Sequence, residues 1–181
     1  MKKTDKKSER VLNGPEIRKC LERFCREMSR RHGDSAQLAF IGIRTRGIHI
    51  ARRLGAIMKK LRRKEVPLGE MDITLYRDDL NTLLPGGKVD NTRIPFDITN
   101  KTIILVDDVL NTGRTVRAAV DHLIDLGRPK AIHLAVLIDR GGRELPIAAE
   151  YVGKKVNLPA GGDVKVRLKE VDRVDEVVIT R

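Results

Sequence analysis

Residues 103–115 read Ile-Ile-Leu-Val-Asp-Asp-Val-Leu-Asn-Thr-Gly-Arg-Thr, and their types and spacing suit a phosphorylated sugar. Asp107 and Asp108 are adjacent carboxylates, able to accept hydrogen bonds from sugar hydroxyls. Asn111, Thr112, Gly113, Arg114 and Thr115 follow as a short polar turn whose backbone N–H groups and hydroxyls can hold a phosphate. A second such turn is Arg44-Thr45-Arg46-Gly47, which is rich in anion donors. His32, His49, His122 and His133 fit no paired pattern and read as structural or surface residues.

These groups need strands and helices to place them. The apolar run 103–106 reads as a strand buried on both faces of a parallel sheet, ending in the two acids. Thr115 then opens an amphipathic helix with Val116, Ala119, Val120 and Leu123 on one face. Open α/β sheets bind ligands at the carboxyl ends of their strands, and helix N-termini favour anions there. The blander reading is a buried strand followed by an acid-capped turn. A nucleotide-hydrolase strand also ends in acids but needs a G-x-x-x-x-G-K-[ST] segment, which the chain lacks.

The remaining sequence alternates in the manner of a parallel-sheet protein. A helix is expected over 15–32 with Ile17, Leu21, Phe24 and Met28 as its apolar stripe. Strands are expected over 37–41, 71–76 and 131–138, with short ones near 151, 164–168 and 176–179. Helices are expected over 47–63 and from 115 to 127. Residues 78–97, with Asn81, Pro85, Gly86, Gly87, Asn91 and Pro95, lack periodicity and read as a lid or a disordered loop.

The 181 residues suffice for one sizeable core, which must be aliphatic because there are no Trp, two Tyr and three Phe. Charged residues make up 34%, and no apolar run approaches the roughly 18 residues that span a bilayer. The Lys-rich start has no apolar segment after it, so residues 1–10 are expected to be a disordered basic tail rather than a signal peptide. Cys20 and Cys25 have neither metal nor disulfide spacing, which points to a reduced, cytoplasmic setting. The net charge of +12 points to polyanionic partners. Arg18, Lys19, Arg23, Arg26, Arg30 and Arg31 on the first helix, with a second basic run from Arg52 to Lys64, could track phosphates or simply be solvated helix faces.

With its apolar residues, two acids and Thr-Gly-Arg-Thr, the 103–115 run resembles the phosphoribosyl-pyrophosphate (PRPP) signature of type I phosphoribosyltransferases. Three further segments resemble the PyrR family of pyrimidine operon regulators, which pair RNA-binding attenuation with uracil phosphoribosyltransferase activity. They are Gly42-Ile43-Arg44-Thr45-Arg46-Gly47, Asp72-Ile73-Thr74-Leu75-Tyr76-Arg77-Asp78-Asp79-Leu80 and Asp139-Arg140-Gly141-Gly142-Arg143-Glu144-Leu145-Pro146-Ile147. The resemblance runs from about Val11 to the end. The second and third of these segments argue against a transferase for a purine or orotate.

The resemblance implies an α/β, type I phosphoribosyltransferase-like fold over residues 11–181, with a central, mostly parallel sheet flanked by helices, a flexible active-site loop and a small hood. It implies conversion of uracil and PRPP to UMP and pyrophosphate, an mRNA leader as partner, and a homo-oligomer, dimer or tetramer. Mg²⁺ would arrive bound to substrate oxygens, with no metal-ligand set in the chain. Asp107 and Asp108 would be catalytic, contacting the ribose 2′ and 3′ hydroxyls, and Asn111, Thr112, Gly113, Arg114 and Thr115 would hold the 5′-phosphate. Arg44, Thr45, Arg46 and Gly47 would hold pyrophosphate, through a non-proline cis peptide within 43–46. Arg77, Asp78 and Asp79 would begin the closing loop, and Ile138, Asp139 and Arg140 would face the base. Arg23, Arg26 and Arg143 would contact RNA. The chain departs from the family at Gly142 (usually His), Ala148 (usually Arg), Glu22 (Thr), Arg26 (His) and Asn111 (often Tyr). The alternative function is base salvage without RNA regulation.

Overall fold

The computed structural model describes residues 8–33, 37–73, 91–158 and 161–180. Five strands, β2 (Leu38–Ile43), β3 (Leu68–Met71), β4 (Thr102–Leu110), β5 (Ala131–Asp139) and β6 (Tyr151–Lys155), form one sheet in the order β3-β2-β4-β5-β6. Every pairing within it is parallel. Helices α1 (Gly14–His32), α2 (Arg46–Arg62) and α3 (Arg114–Leu126) flank it. This is the flanked parallel sheet that the resemblance implied.

Alternation along each strand divides the core in two. Phe40, Ile104 and Val106 face the layer shared with Phe24, Met28, Leu54 and Met58 of α1 and α2. Ile41, Ile103 and Leu105 face the other, with Val116, Ala119 and Leu123 of α3. Burying each such side chain fully contributes about 1.5–3 kcal/mol. The stripe expected for the first helix, Ile17, Leu21, Phe24 and Met28, is buried, together with Cys25. Burial pushes the Cys25 thiol up to about 12, helped by nearby Glu22, so it is an inert packing group. None of the described helices is long and apolar enough to cross a membrane.

Helix α1 starts sharply because Asn13 and Glu16 form a capping box: Glu16 N–H donates to Asn13 Oδ1 at 3.0 Å and Asn13 N–H to Glu16 Oε2 at 2.7 Å. At its far end Gly33 N–H donates to Ser29 O at 3.1 Å.

A second, antiparallel sheet, β1-β8-β7, caps the strand ends as the hood. It comprises β1 (Ser8–Asn13), β7 (Asp163–Arg167) and β8 (Glu176–Thr180), with the short helix α4 (Lys169–Asp172). Residues 8–10, expected within the tail, instead begin β1. Residues 8–10 pair with Thr180, Ile179 and Val178, and it is the backbone of the far terminus, not any local pattern, that orders them.

Other expected bounds also shift. β3 lies at 68–71, earlier than expected, because its register with β2 runs Phe40↔Leu68 to Ile43↔Met71, while Gly69 and Glu70 blur its apolar alternation; of the expected 71–76, residues 74–76 lie outside the described residues. β4 does not end at the acids: it continues to Leu110, paired as Val109↔Ile138 and Leu110↔Asp139. Ladder bonds are made by backbone, so carboxylate side chains do not terminate them. Most of the expected lid, including Arg77, Asp78 and Asp79, lies outside the described residues.

Ion pairs fasten the hood to α2. Arg53 bonds Glu170 Oε1 at 2.8 Å and Asp175 Oδ1 at 2.6 Å. The Arg53 bond holds the Glu170 carboxyl below its usual range. Partial burial works to raise Asp175, but bonds from Arg53 and the Lys169 N–H prevail and leave it lowered. Acids depressed in the folded state leave the unfolded chain binding more protons. Their contribution is complete above about pH 4.3 and is lost as pH falls through the folded values. On their account the urea midpoint should drop as pH falls below about 4. Asp175→Asn should make that acid limb shallower, and an unchanged limb would place the acid sensitivity elsewhere.

Candidate active site

Three of the expected segments meet at the carboxyl ends of β2, β4 and β5. Gly42 of β2 pairs with Val106 of β4, bringing the 44–47 loop beside Asp107 and Asp108. A Cβ on Gly47 would stand 2.4 Å from Val106 O, and one on Gly42 would stand 2.5 Å from Ile48 Cα. Glycine at both places lets the start of α2 lie directly on the ends of β2 and β4. A cis peptide joins Arg44 to Thr45, as the resemblance implied.

Asp107 and Asp108 lie near the carboxyl end of β4. Each carboxylate folds back on the next amide: Asp108 N–H donates to Asp107 Oδ1 at 2.8 Å and Val109 N–H to Asp108 Oδ1 at 2.9 Å. Asp107 is 7% exposed. Burial pushes the Asp108 carboxyl up, opposed by a bond with Asp107 and by the Arg46 charge.

Arg46 itself is engaged elsewhere. Its guanidinium makes two bonds to Asp172 of α4, at 3.2 and 2.9 Å, and this pairing raises its pKa. Arg46 thus links the loop to the hood, while the Arg44 side chain stays more open, 3.8 Å from Glu70.

The two helices that begin at these loops differ from α1 in one respect. Neither Thr45 before α2 nor Gly113 before α3 supplies a side-chain cap, and neither first turn carries an acid. Both N-termini therefore present donors with no carboxylate nearby on the helix to compete for them. Gly113 takes φ 94°, which only glycine adopts without strain, and its missing side chain leaves room for Leu145 and Ile147.

Residues 139–147 wrap this second turn. Glu144 and Leu145 N–H groups donate to Thr112 O at 3.0 and 3.2 Å, and Arg114 pairs with Glu144 at 2.6 Å. Arg143, expected on an RNA surface, instead points inward to Asp139 and four carbonyls. Asp139 is pulled up by partial burial and further down by the Gly141 N–H and Arg143, for a lowered value.

The base-facing expectation for 138–140 meets a different arrangement. Ile138 is fully buried, Arg140 N–H donates to Leu110 O at 3.0 Å, and the Arg140 side chain donates to Gly162 O at 2.9 Å. These residues hold β5 to its neighbours. On α1, Arg23 and Arg26 are both exposed, and Arg23 donates to Val152 O and Gly153 O of β6 at 2.7 and 3.2 Å.

Sequence reasoning passed over Asp172, which sits 126 positions from Arg46, and Asp72, 8% exposed after β3 and bonded to Asn91 and Thr92. Asp72 opens one of the quoted segments, but nothing local marks it as buried. Gly42, by contrast, was legible as part of a strand–turn–helix junction.

The close approach at Gly47 predicts opposite effects for one substitution on one helix. Gly47→Ala would press on backbone and should destabilise by about 1–3 kcal/mol. Gly55→Ala, whose Cβ would meet only Leu68 Cδ1 at 3.7 Å, should stabilise by up to about 1 kcal/mol. Urea unfolding of both variants checks this, and a shared sign would remove the steric argument.

The phosphoribosyl transferase domain family matches residues 7–172. The bifunctional protein PyrR of Chloroflexus aurantiacus is 52% identical over 94% of this chain and 94% of its own length. Its counterpart in Thermus thermophilus is 53% identical over 92% of each. Among solved structures, the hypoxanthine phosphoribosyltransferase of Staphylococcus aureus superposes with a TM-score of 0.70 at 20% identity, covering 98% of this chain and 96% of that one. The Trypanosoma cruzi enzyme gives 0.75 at 17%, covering 96% of each. The chain belongs to the phosphoribosyl transferase domain family and, within it, to the bifunctional PyrR proteins.

Proposed function

We propose that this protein transfers the 5-phosphoribosyl group of PRPP to uracil, giving UMP and pyrophosphate, and that its UMP-bound form binds an mRNA leader to regulate pyrimidine genes by attenuation. The observation that carries the transferase half is the pair of uncapped, acid-free helix N-termini flanking the acid pair at adjacent strand ends. Two anion sites with hydroxyl acceptors between them match a sugar phosphorylated at both ends.

Breaking the bond from C1 to pyrophosphate builds positive charge on the ribose ring, so binding, orientation and shielding from water matter more than a strong nucleophile. Asn111–Thr115 hold the 5′-phosphate, Arg44–Gly47 the pyrophosphate, and Asp107 and Asp108 accept from the ribose hydroxyls. Both acids offer hard oxygen atoms, which suit Mg²⁺, and that ion is bound mostly by substrate phosphates and water. When bound, its charge would offset that of the leaving pyrophosphate. Uracil as acceptor rests on the likeness to PyrR proteins, since the side chains at the end of β5 are taken up by the fold.

For the RNA half, support comes from the net charge of +12 and from exposed cations such as Arg26, Arg30, Arg52 and Arg63. A second reading, transfer without regulation, gains from the hydrogen bonds that tie Arg23 and Arg143 to the fold and from the absence of a polar side chain at Gly142 and Ala148.

A panel of bases with PRPP tests the acceptor: UMP should form, with little product from hypoxanthine or orotate. Asp107→Asn and Asp108→Asn should each lower UMP formation by about 10- to 100-fold with the fold retained, the equivalent of about 1.5–3 kcal/mol for one charge-assisted bond. Near-normal turnover in both would refute the sugar-hydroxyl role.

RNA binding should weaken linearly in log–log terms with salt, and Arg26→Gln should flatten the slope by about 0.7. UMP should tighten it, since a ligand shifts affinity only by preferring the competent state. Leader binding that is absent or indifferent to salt in the presence of UMP would leave the salvage reading.

A further inference from the structure

The turn between β4 and α3 has three successive carbonyls directed at residues 140–145. Leu110 O accepts from the Arg140 N–H at 3.0 Å, and Thr112 O from Glu144 and Leu145 at 3.0 and 3.2 Å. Between them, Asn111 O accepts from Arg143 Nη1 at 2.6 Å. A trans peptide unit carries its C=O and N–H on opposite sides. With these carbonyls turned toward the 140–145 loop, the N–H groups of Asn111, Thr112 and Gly113 must point away from it, into the space before α3. Backbone bonds fix the outer two peptides, while the central one is held by a side chain.

That side chain is fixed from several directions. Arg143 Nε donates to Ile147 O at 2.9 Å, Nη1 also reaches Gly141 O at 3.2 Å and Leu110 O at 3.4 Å, and Nη2 donates to Asp139 Oδ1 at 2.6 Å. A planar guanidinium can meet acceptors in so many directions at once, whereas an ammonium on a flexible stem cannot. The same group joins the end of β5 to the phosphate turn.

We propose that Arg143 is a positioning residue for phosphate recognition: it sets the Asn111–Thr112 peptide so that the Thr112 N–H faces the 5′-phosphate. This rests on the transferase reading of the site.

The test is a titration of ribose 5-phosphate into ¹⁵N-labelled protein, followed at the Thr112 and Gly113 amide resonances, which gives affinity without turnover. Arg143→Lys, which keeps the charge, should weaken binding on the order of 10-fold, the scale of one lost charge-assisted bond. Arg143→Ala should weaken it further, with partial recovery on adding ethylguanidinium. If the alanine variant fails to fold, the lysine variant still decides. KM for PRPP should rise in proportion while kcat changes less.

Unchanged ribose 5-phosphate affinity in folded Arg143→Lys overturns the proposal, and a loss of nucleotide-free RNA binding beside it would assign Arg143 to the RNA surface instead. No binding of ribose 5-phosphate by the wild type overturns both the proposal and the transferase reading. Binding that depends on Arg143 in a protein that makes no UMP sustains the proposal and refutes uracil as acceptor.

Discussion

At Gly47 the first turn of α2 lies so close to the end of β4 that a single methyl group would overlap Val106 O. This contact sets the geometry of the strand-end region. It holds the 44–47 loop beside Asp107 and Asp108 and presents the start of α2 to the same space as the start of α3. It also aims Arg46 at Asp172, so the hood is fastened to the loop itself. The approach is possible because two glycines, Gly42 and Gly47, leave out their side chains on facing surfaces.

The fold was largely legible because its strongest signals are local. The apolar run 103–106 and the stripe of the first helix each specify an element over a few residues. The hood was only half legible. Ser8–Arg10 look like a polar tail until Val178–Thr180 lie beside them, and α4 has four residues and no buried side chain. At the site, the loops and acids could be named from composition, but the identity of each arginine's partner could not. Arg46 meets a carboxylate 126 positions away, and Arg143 meets carbonyls, which every residue carries.

That limit bears on how a basic sequence is understood. A net charge of +12 suggests a surface that attracts polyanions. Yet Arg23, Arg46, Arg53, Arg62, Arg140 and Arg143 bond to carbonyls or carboxylates of the fold. Their charge still adds to the overall field, but their donors are occupied. Long-range attraction and close contact are thus carried by different residues, and substitution of an arginine tests one or the other according to its partner.

The hood is woven from opposite ends of the sequence, with Ser8–Asn13 laid antiparallel against Glu176–Thr180. On the ribosome, β1 emerges well before β8 and has no partner in its sheet until the residues between them have been made. The parallel sheet can assemble around β2, β4 and β5 in the meantime, but α4 and its aspartates arrive late, so Arg46 and Arg53 wait for their carboxylates. Such long-range pairings slow folding and leave a strand edge exposed while they are pending. The strand-end loops therefore gain their covering only after the sheet they stand on, and a nascent chain would have these two turns before the hood that orders Arg46.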